Sequence, residues 1–161
     1  MNDLAFLSVD AAERDRGFLP IARSPLERAL VGARGIRDLS SLGKLEVRGP
    51  VERLDADGYD VIPVGPQRAL VVCARERCAA LQQSLPGIVV DMTGALAGIE
   101  VTGERLLRRL TDLDLDALPA VGNVAGVPAA LTRDDSSFRI FFPQEYGDSV
   151  VLAVRDLMRA L

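Results

Sequence analysis

The sequence predicts an α+β domain whose strands run mostly antiparallel, with helices layered on one face of each sheet. Three observations lead there: strand-like segments outnumber helical ones, helical segments follow hairpins, and a strand, turn, strand, glycine pattern occurs in two similar halves. With 161 residues, 48% of them apolar and 26% charged, the chain has enough material for one folded core without cross-links.

Residues 1 to 23 mix acids and arginines with scattered apolar positions and follow neither structural period, so they read as an arm ahead of a single domain over 24 to 161. Ser24-Pro25-Leu26-Glu27 sets a capping serine, a first-turn proline and a capping-box glutamate before Ala29, Leu30 and Ala33. This predicts a short helix ended by Gly35. Lys44 to Arg48 alternates polar and apolar, which predicts a half-buried strand with Leu45 and Val47 inward and the charges outward. Segments 59 to 64 and 69 to 74 flank Gly65-Pro66-Gln67-Arg68 as a hairpin, and Pro63 marks its strand as an edge. Cys78, Leu81 and Leu85 recur at helical spacing over 75 to 85, until Pro86-Gly87 turns the chain into a strand over 88 to 92.

From there the chain repeats itself. Gly35-Ile36 and Asp38 lead through Leu45-Glu46-Val47 to Gly49; Gly87-Ile88 and Asp91 lead through Ile99-Glu100-Val101 to Gly103, one residue longer. On this correspondence 132 to 142 matches the first hairpin and 144 to 161 matches 75 to 85. Val150, Val154, Leu157 and Leu161 share a face of that last stretch, with Val151 and Met158 beside them, which predicts a helix covering a sheet.

Composition excludes several function classes. The chain has 19 basic and 23 acidic residues, a formal charge of -4, and no surplus for neutralising a phosphate backbone, so nucleic acid is not an expected partner. There is no histidine, so Cys73 and Cys78 lack the partners for a zinc quartet or a thiol–imidazole nucleophile. They read as small core residues, and no metal is expected. The first residues carry an acid where a secretory signal carries a base, and no apolar run approaches a membrane span. The expectation is a cytoplasmic protein with no membrane partner.

The stretch Gly35-Ile36-Arg37-Asp38-Leu39-Ser40-Ser41-Leu42-Gly43-Lys44-Leu45-Glu46-Val47-Arg48-Gly49-Pro50 resembles the opening of the aminomethyltransferase (glycine-cleavage T-protein) folate-binding domain. Val64 to Val72, Val90-Asp91-Met92-Thr93, Ile99 to Gly103 and Leu113-Asp114-Leu115-Asp116 resemble, in order and spacing, the gamma subunit of sarcosine oxidase. That subunit is itself related to the aminomethyltransferase and YgfZ-like folate-binding domains. Gly126-Val127-Pro128, Phe138 to Pro143 and the closing helix fit both families, so the resemblance covers residues 24 to 161. It implies a folate-binding-domain-like fold of two similar halves. One departure bears on function. An aminomethyltransferase carries a long segment with an Asn-x-Asp loop and part of its folate pocket after the first Gly-Pro, whereas here Gly49-Pro50 reaches Gly58-Tyr59-Asp60 in a few residues.

The resemblance also implies candidate residues. Asp60 falls near the family's catalytic aspartate, although an aspartate beside a turn also reads as a solvated loop residue. Arg133 and Asp135 sit where the family has a Gly-Glu-x-Gly-Phe motif, with Asp135 at the pterin-contacting glutamate; Ser136-Ser137 replaces the glycine, and a polar hairpin turn is the plain alternative. Arg105, Arg108 and Arg109 line a predicted helix and suit either a folate tail, an acidic partner or a solvated face. Asp112, Asp114 and Asp116 lack the glycine and distal glutamate of a calcium loop and read as connector. Five Phe, two Tyr and no Trp leave little for a tight pterin pocket.

The resemblance therefore implies a non-catalytic gamma-type accessory subunit of a heterotetrameric, sarcosine-oxidase-like complex, partnered by larger alpha, beta and delta subunits. No catalytic residue and no cofactor is expected on this chain alone, with flavin and NAD held by the partners. The alternative is a stand-alone folate-binding or aminomethyltransferase-like protein of one-carbon transfer, binding tetrahydrofolate through Asp60, Arg133 and Asp135 and completed by a second copy in a homodimer.

Overall fold

Apolar alternation makes the strands, and burial on both faces selects which of them sit centrally. The computed structural model describes residues 23–55 and 57–161. The elements run β1 (Ile36–Asp38), β2 (Gly43–Arg48), β3 (Asp60–Gly65), β4 (Arg68–Cys73), α1 (Cys78–Ser84), β5 (Ile88–Asp91) and β6 (Leu96–Thr102). They continue through α2 (Glu104–Leu110), β7 (Ala120–Val124), β8 (Val127–Asp134), β9 (Ser137–Pro143) and α3 (Gly147–Ala160). The architecture is α+β with two antiparallel sheets, ordered β3-β4-β2-β5 and β1-β6-β9-β8-β7. The predicted arm lies outside the described residues except for Arg23.

Burial arranges these elements in four layers. One outer core joins Leu45, Val47, Val71 and Cys73 of the smaller sheet to Cys78 and Leu81 of α1. The other joins Ile99, Val101, Leu131, Phe138 and Ile140 of the larger sheet to Leu106, Leu107 and Leu110 of α2 and Val150, Val151 and Val154 of α3. Between the sheets lies a smaller core of Leu39, Ile62, Leu70, Val72, Ala130 and Phe141. The predicted hairpin is present, and Pro63 lies on the edge strand β3, where its missing N–H costs no ladder bond.

Strand registers relate the two halves. In β2 Leu45 stands opposite Val71, and in β6 Ile99 stands opposite Ile140; Asp60 opposes Val72 as Ala130 opposes Phe141. Each half sends its first strand into the other sheet: β1 pairs with β6, with Asp38 opposite Ile99, and β5 pairs with β2, with Asp91 opposite Leu45. The two crossovers are built alike. Asp38 Oδ1 accepts the Ser40 N–H at 2.8 Å, and Asp91 Oδ1 accepts the Thr93 N–H at 2.8 Å. Ser40 Oγ then accepts the Gly98 N–H at 3.3 Å, and Thr93 Oγ1 accepts the Lys44 N–H at 3.0 Å. Leu39 N donates to Gly98 O and Met92 N to Lys44 O, both at 2.8 Å. Where the chain enters β5, Gly87 adopts φ +89°, and a Cβ there would stand 2.3 Å from the Arg48 carbonyl oxygen, so only glycine fits.

Four expectations change. The predicted helix after Ser24 is a run of turns: Ser24 Oγ does accept the Leu26 N–H at 3.0 Å, but the backbone bonds of the segment are mostly of three-residue span, with Leu30 N to Leu26 O spanning four. Only Leu26 of that segment is buried and Val31 is 73% exposed, too small an apolar face to offset helix nucleation. The charges of β2 do not all point to solvent, because the second sheet covers that face: Lys44 is 0% exposed and Glu46 8%. Strand β7, which alternation did not reveal, extends the larger sheet by hairpin pairing with β8. Leu161 lies off the buried face of α3, at 42% exposure.

If the reciprocal crossover bonds hold the exchanged strands, Thr93→Val and Ser40→Ala each lower unfolding free energy by about 1–2 kcal/mol, since each orphans a backbone N–H. Urea unfolding reads this as a lower midpoint at unchanged slope; two variants matching the wild type would show that the exchange rests on other contacts.

Candidate functional site

The facing sheets enclose a concavity. Side chains alternate along strands, so β2 and β4 turn Lys44, Glu46, Leu70 and Val72 toward β6 and β9, which answer with Gly98, Glu100, Arg139 and Phe141. A cleft of 570 Å3 opens between them. Val64, Leu70, Met92, Leu96, Ala130 and Phe141 supply much of its wall, and Glu46, Arg68 and Asn123 its polar groups.

Glu46 is a buried carboxylate that remains ionised. Its Oε1 accepts from Arg48 Nε at 2.6 Å and Arg68 Nε at 2.9 Å. The Arg48 hydrogen bond holds its pKa below the usual carboxylate range, burial opposes that shift, and Arg68 assists it. Lys44 is buried differently, with its Nζ donating to the carbonyls of Ser40 at 2.7 Å and Leu42 at 2.8 Å. Burial pushes its ammonium down to about 8, and the Arg75 charge adds to this, against the pull of Asp38, Cys78 and Asp91. Alternation alone places both groups outward; the available signal was the repeat, which sets a glutamate in Leu45-Glu46-Val47 and again in Ile99-Glu100-Val101.

Arg139 gathers a second cluster. It donates to Asp60 Oδ2 at 2.8 Å, to Glu100 Oε2 at 3.4 Å and to Asp134. Burial works against its charge, yet Asp60, Asp134 and Glu100 together raise its pKa. This places the first sequence candidate: the Asp60 carboxylate is bonded to a guanidinium and lines a smaller recess with Tyr59, Val72 and Arg139. Arg133 lies elsewhere. It stands on the helix-covered face of the larger sheet, 5.3 Å over the Phe138 ring, with Glu104 and Asp116 at 3.6 and 3.9 Å. Asp135 forms the β8–β9 turn at φ 50°, and its carbonyl accepts from Arg133 Nε at 3.0 Å. Arg133 and Asp135 are therefore together through the backbone, while the sheet separates Arg133 from Asp60.

The remaining candidates have local partners. Arg105, Arg108 and Arg109 are exposed on α2, where Glu104 holds Arg108 at 2.6 and 2.9 Å. Asp114 caps the turn at 115–117 by accepting the Asp116 N–H at 3.0 Å. Cys73 and Cys78 are free, buried thiols 3.7 Å apart, and burial together with the Cys78 contact pushes Cys73 up to about 11. Gly43 lies against both, where a Cβ would stand 2.0 Å from the Cys78 sulfur.

No protein-family model and no curated protein matches this sequence. Among solved structures, a chain of the heterotetrameric sarcosine oxidase from Corynebacterium sp. U-96, in complex with pyrrole 2-carboxylate, superposes with a TM-score of 0.73 at 19% identity. The match covers 88% of this chain and 96% of that one. The ligand-free regulatory subunit of aspartate kinase from Thermus thermophilus gives a TM-score of 0.46 at 10% identity, covering 76% and 97%. At these identities the sarcosine oxidase match establishes a shared fold.

The depressed Lys44 pKa makes a signed prediction. Between about 8 and the ordinary value of 10.5 the unfolded chain binds a proton that the folded chain has released, so stability from this group rises with pH across that window. Lys44→Met removes the rise, and the difference between wild type and variant changes by about 2 kcal/mol over the window once screening is allowed for. Chemical denaturation at several pH values checks it; parallel curves would place the amine in water.

Proposed function

We propose that this chain is a gamma-type accessory subunit, with no active site of its own, in a multi-subunit, flavin- and folate-linked amine oxidase of the sarcosine oxidase kind. The observation that carries the reading is the match in both fold and extent to a chain of a heterotetrameric sarcosine oxidase, with 96% of that chain covered. The state of the carboxylates supports it. A general base is tuned toward the operating pH, whereas the Glu46 carboxyl is held below the usual carboxylate range by Arg48 and Arg68, and Asp60 is tied to Arg139 through one oxygen. The short connection from Gly49-Pro50 to β3 includes a helical turn at Val51–Arg53, consistent with loss of the segment that larger relatives use. Exposed aliphatic side chains, Ile88 at 66% and Leu152 at 58%, are surface that a permanent partner would cover. In this reading flavin, NAD and folate belong to larger alpha, beta and delta subunits, and this chain stabilises their assembly in the cytoplasm.

Affinity capture of the tagged chain from its native host is expected to bring down flavin-bearing subunits in fixed ratio, visible as flavin absorbance in the purified complex. A stable monomer that recovers no flavoprotein overturns the reading. Calorimetry of the isolated chain with tetrahydrofolate separates the alternative: no saturable heat dependent on Asp60 is expected, and a binding signal that Asp60→Asn abolishes would favour a folate-binding role.

A further inference from the structure

The cleft between the sheets has a chemical character that an accessory role does not require. Its 570 Å3 falls within the range of sites that enclose a small molecule, which are typically apolar with a few placed polar groups. Leu70, Leu96, Ala130 and Phe141 from the two inner faces line it, and the charged lining is confined to Glu46 and Arg68. Three guanidinium nitrogens crowd one oxygen there: Arg48 Nε at 2.6 Å, Arg68 Nε at 2.9 Å and Arg68 Nη2 at 2.8 Å all approach Glu46 Oε1. Among the described residues no other carboxylate lies within 4.0 Å of either guanidinium. Among the described residues, the cluster of Arg68 on the cleft wall, neighbouring Arg48 and Glu46 therefore carries one positive charge without a counter-ion. Both arginine side chains are about half exposed, at 53% and 51%, and Arg68 Nη1 and both Arg48 Nη groups donate to no described residue. Apolar surface continues beside them, with Val90 opposite Glu46, Ile88 opposite Arg48 and the half-exposed Val121 on the cleft wall.

We propose that the inter-sheet cleft binds an amphipathic monoanion, its apolar body against Leu70, Leu96, Ala130 and Phe141 and its carboxylate on the unfilled N–H groups of Arg68 and Arg48. Charge decides the class. A cationic head would meet a net positive cluster whose only carboxylate is already engaged, whereas an anionic head completes two arginine–carboxylate pairs from one. The site belongs to the chain itself and stands or falls apart from the accessory role.

Calorimetry of the full chain tests it with dodecanoate below its micelle concentration, against dodecyltrimethylammonium and dodecanol. Saturable binding of dodecanoate, tighter than either control by about tenfold, is expected from one charge-assisted contact. Arg68→Gln should remove about that factor for dodecanoate and leave dodecanol unchanged. Val121→Glu, at a half-exposed position, should weaken dodecanoate without weakening the ammonium, and guards against misfolding of the arginine variant. Equal binding of all three compounds, tighter binding of the ammonium, or no saturable dodecanoate binding overturns the proposal, as does full dodecanoate affinity in both variants.

Discussion

Strand β1 leaves its own half to pair with β6, and β5 leaves its half to pair with β2, so neither half of the chain can complete a sheet alone. Each crossing is pinned the same way. An aspartate turns the chain, and the hydroxyl two residues on takes a backbone N–H from the other half's central strand. Buried backbone groups must find partners, and here the partner of each half is supplied by the other. The two sheets thereby depend on each other, and β2 and β6 each become interior strands.

Central position has an electrostatic consequence. The inner face of β2 is shut off from water by the opposing sheet, and it carries Lys44 and Glu46. A buried charge is costly unless paired or hydrogen-bonded. The two residues meet that cost differently: Glu46 keeps its charge through Arg48 and Arg68, while Lys44 receives two carbonyls and a lowered pKa. The halves have diverged at this point, since the register sets Gly98 of β6 where β2 has Lys44. They also differ outside, where α1 spans 7 residues and α3 spans 14 over the larger core.

The same geometry separates structural from chemical roles. Several carboxylates near the concavities have guanidinium partners, with Asp60, Glu100 and Asp134 gathered around Arg139. Such clusters organise a scaffold by tying strands of the two sheets together. An accessory subunit suits that arrangement, and the cleft with its surplus guanidinium is where binding chemistry remains.

Local pattern by itself determined the α+β class, the β3–β4 hairpin with Pro63 at an edge, the strand at 88–91 and the covering faces of α1 and α3. In each case the residues that specify the element lie close together in the chain. Alternation, proline geometry and helical spacing act over a few residues and survive removal of their surroundings. Residues 25–32 lay beyond that reach, because their capping signals were present but the apolar partners that would stabilise a helix were not. What covers a strand's polar face also lay beyond it. Whether Lys44 and Glu46 meet water, whether Asp60 and Arg133 share a cavity, and where β1 and β5 pair depend on the strand exchange, which joins positions far apart in the chain, such as Arg48 with Ile88 and Ile36 with Val101. Only the tertiary structure decides these, because burial and charge pairing are properties of surfaces brought together and not of the order in which their residues occur.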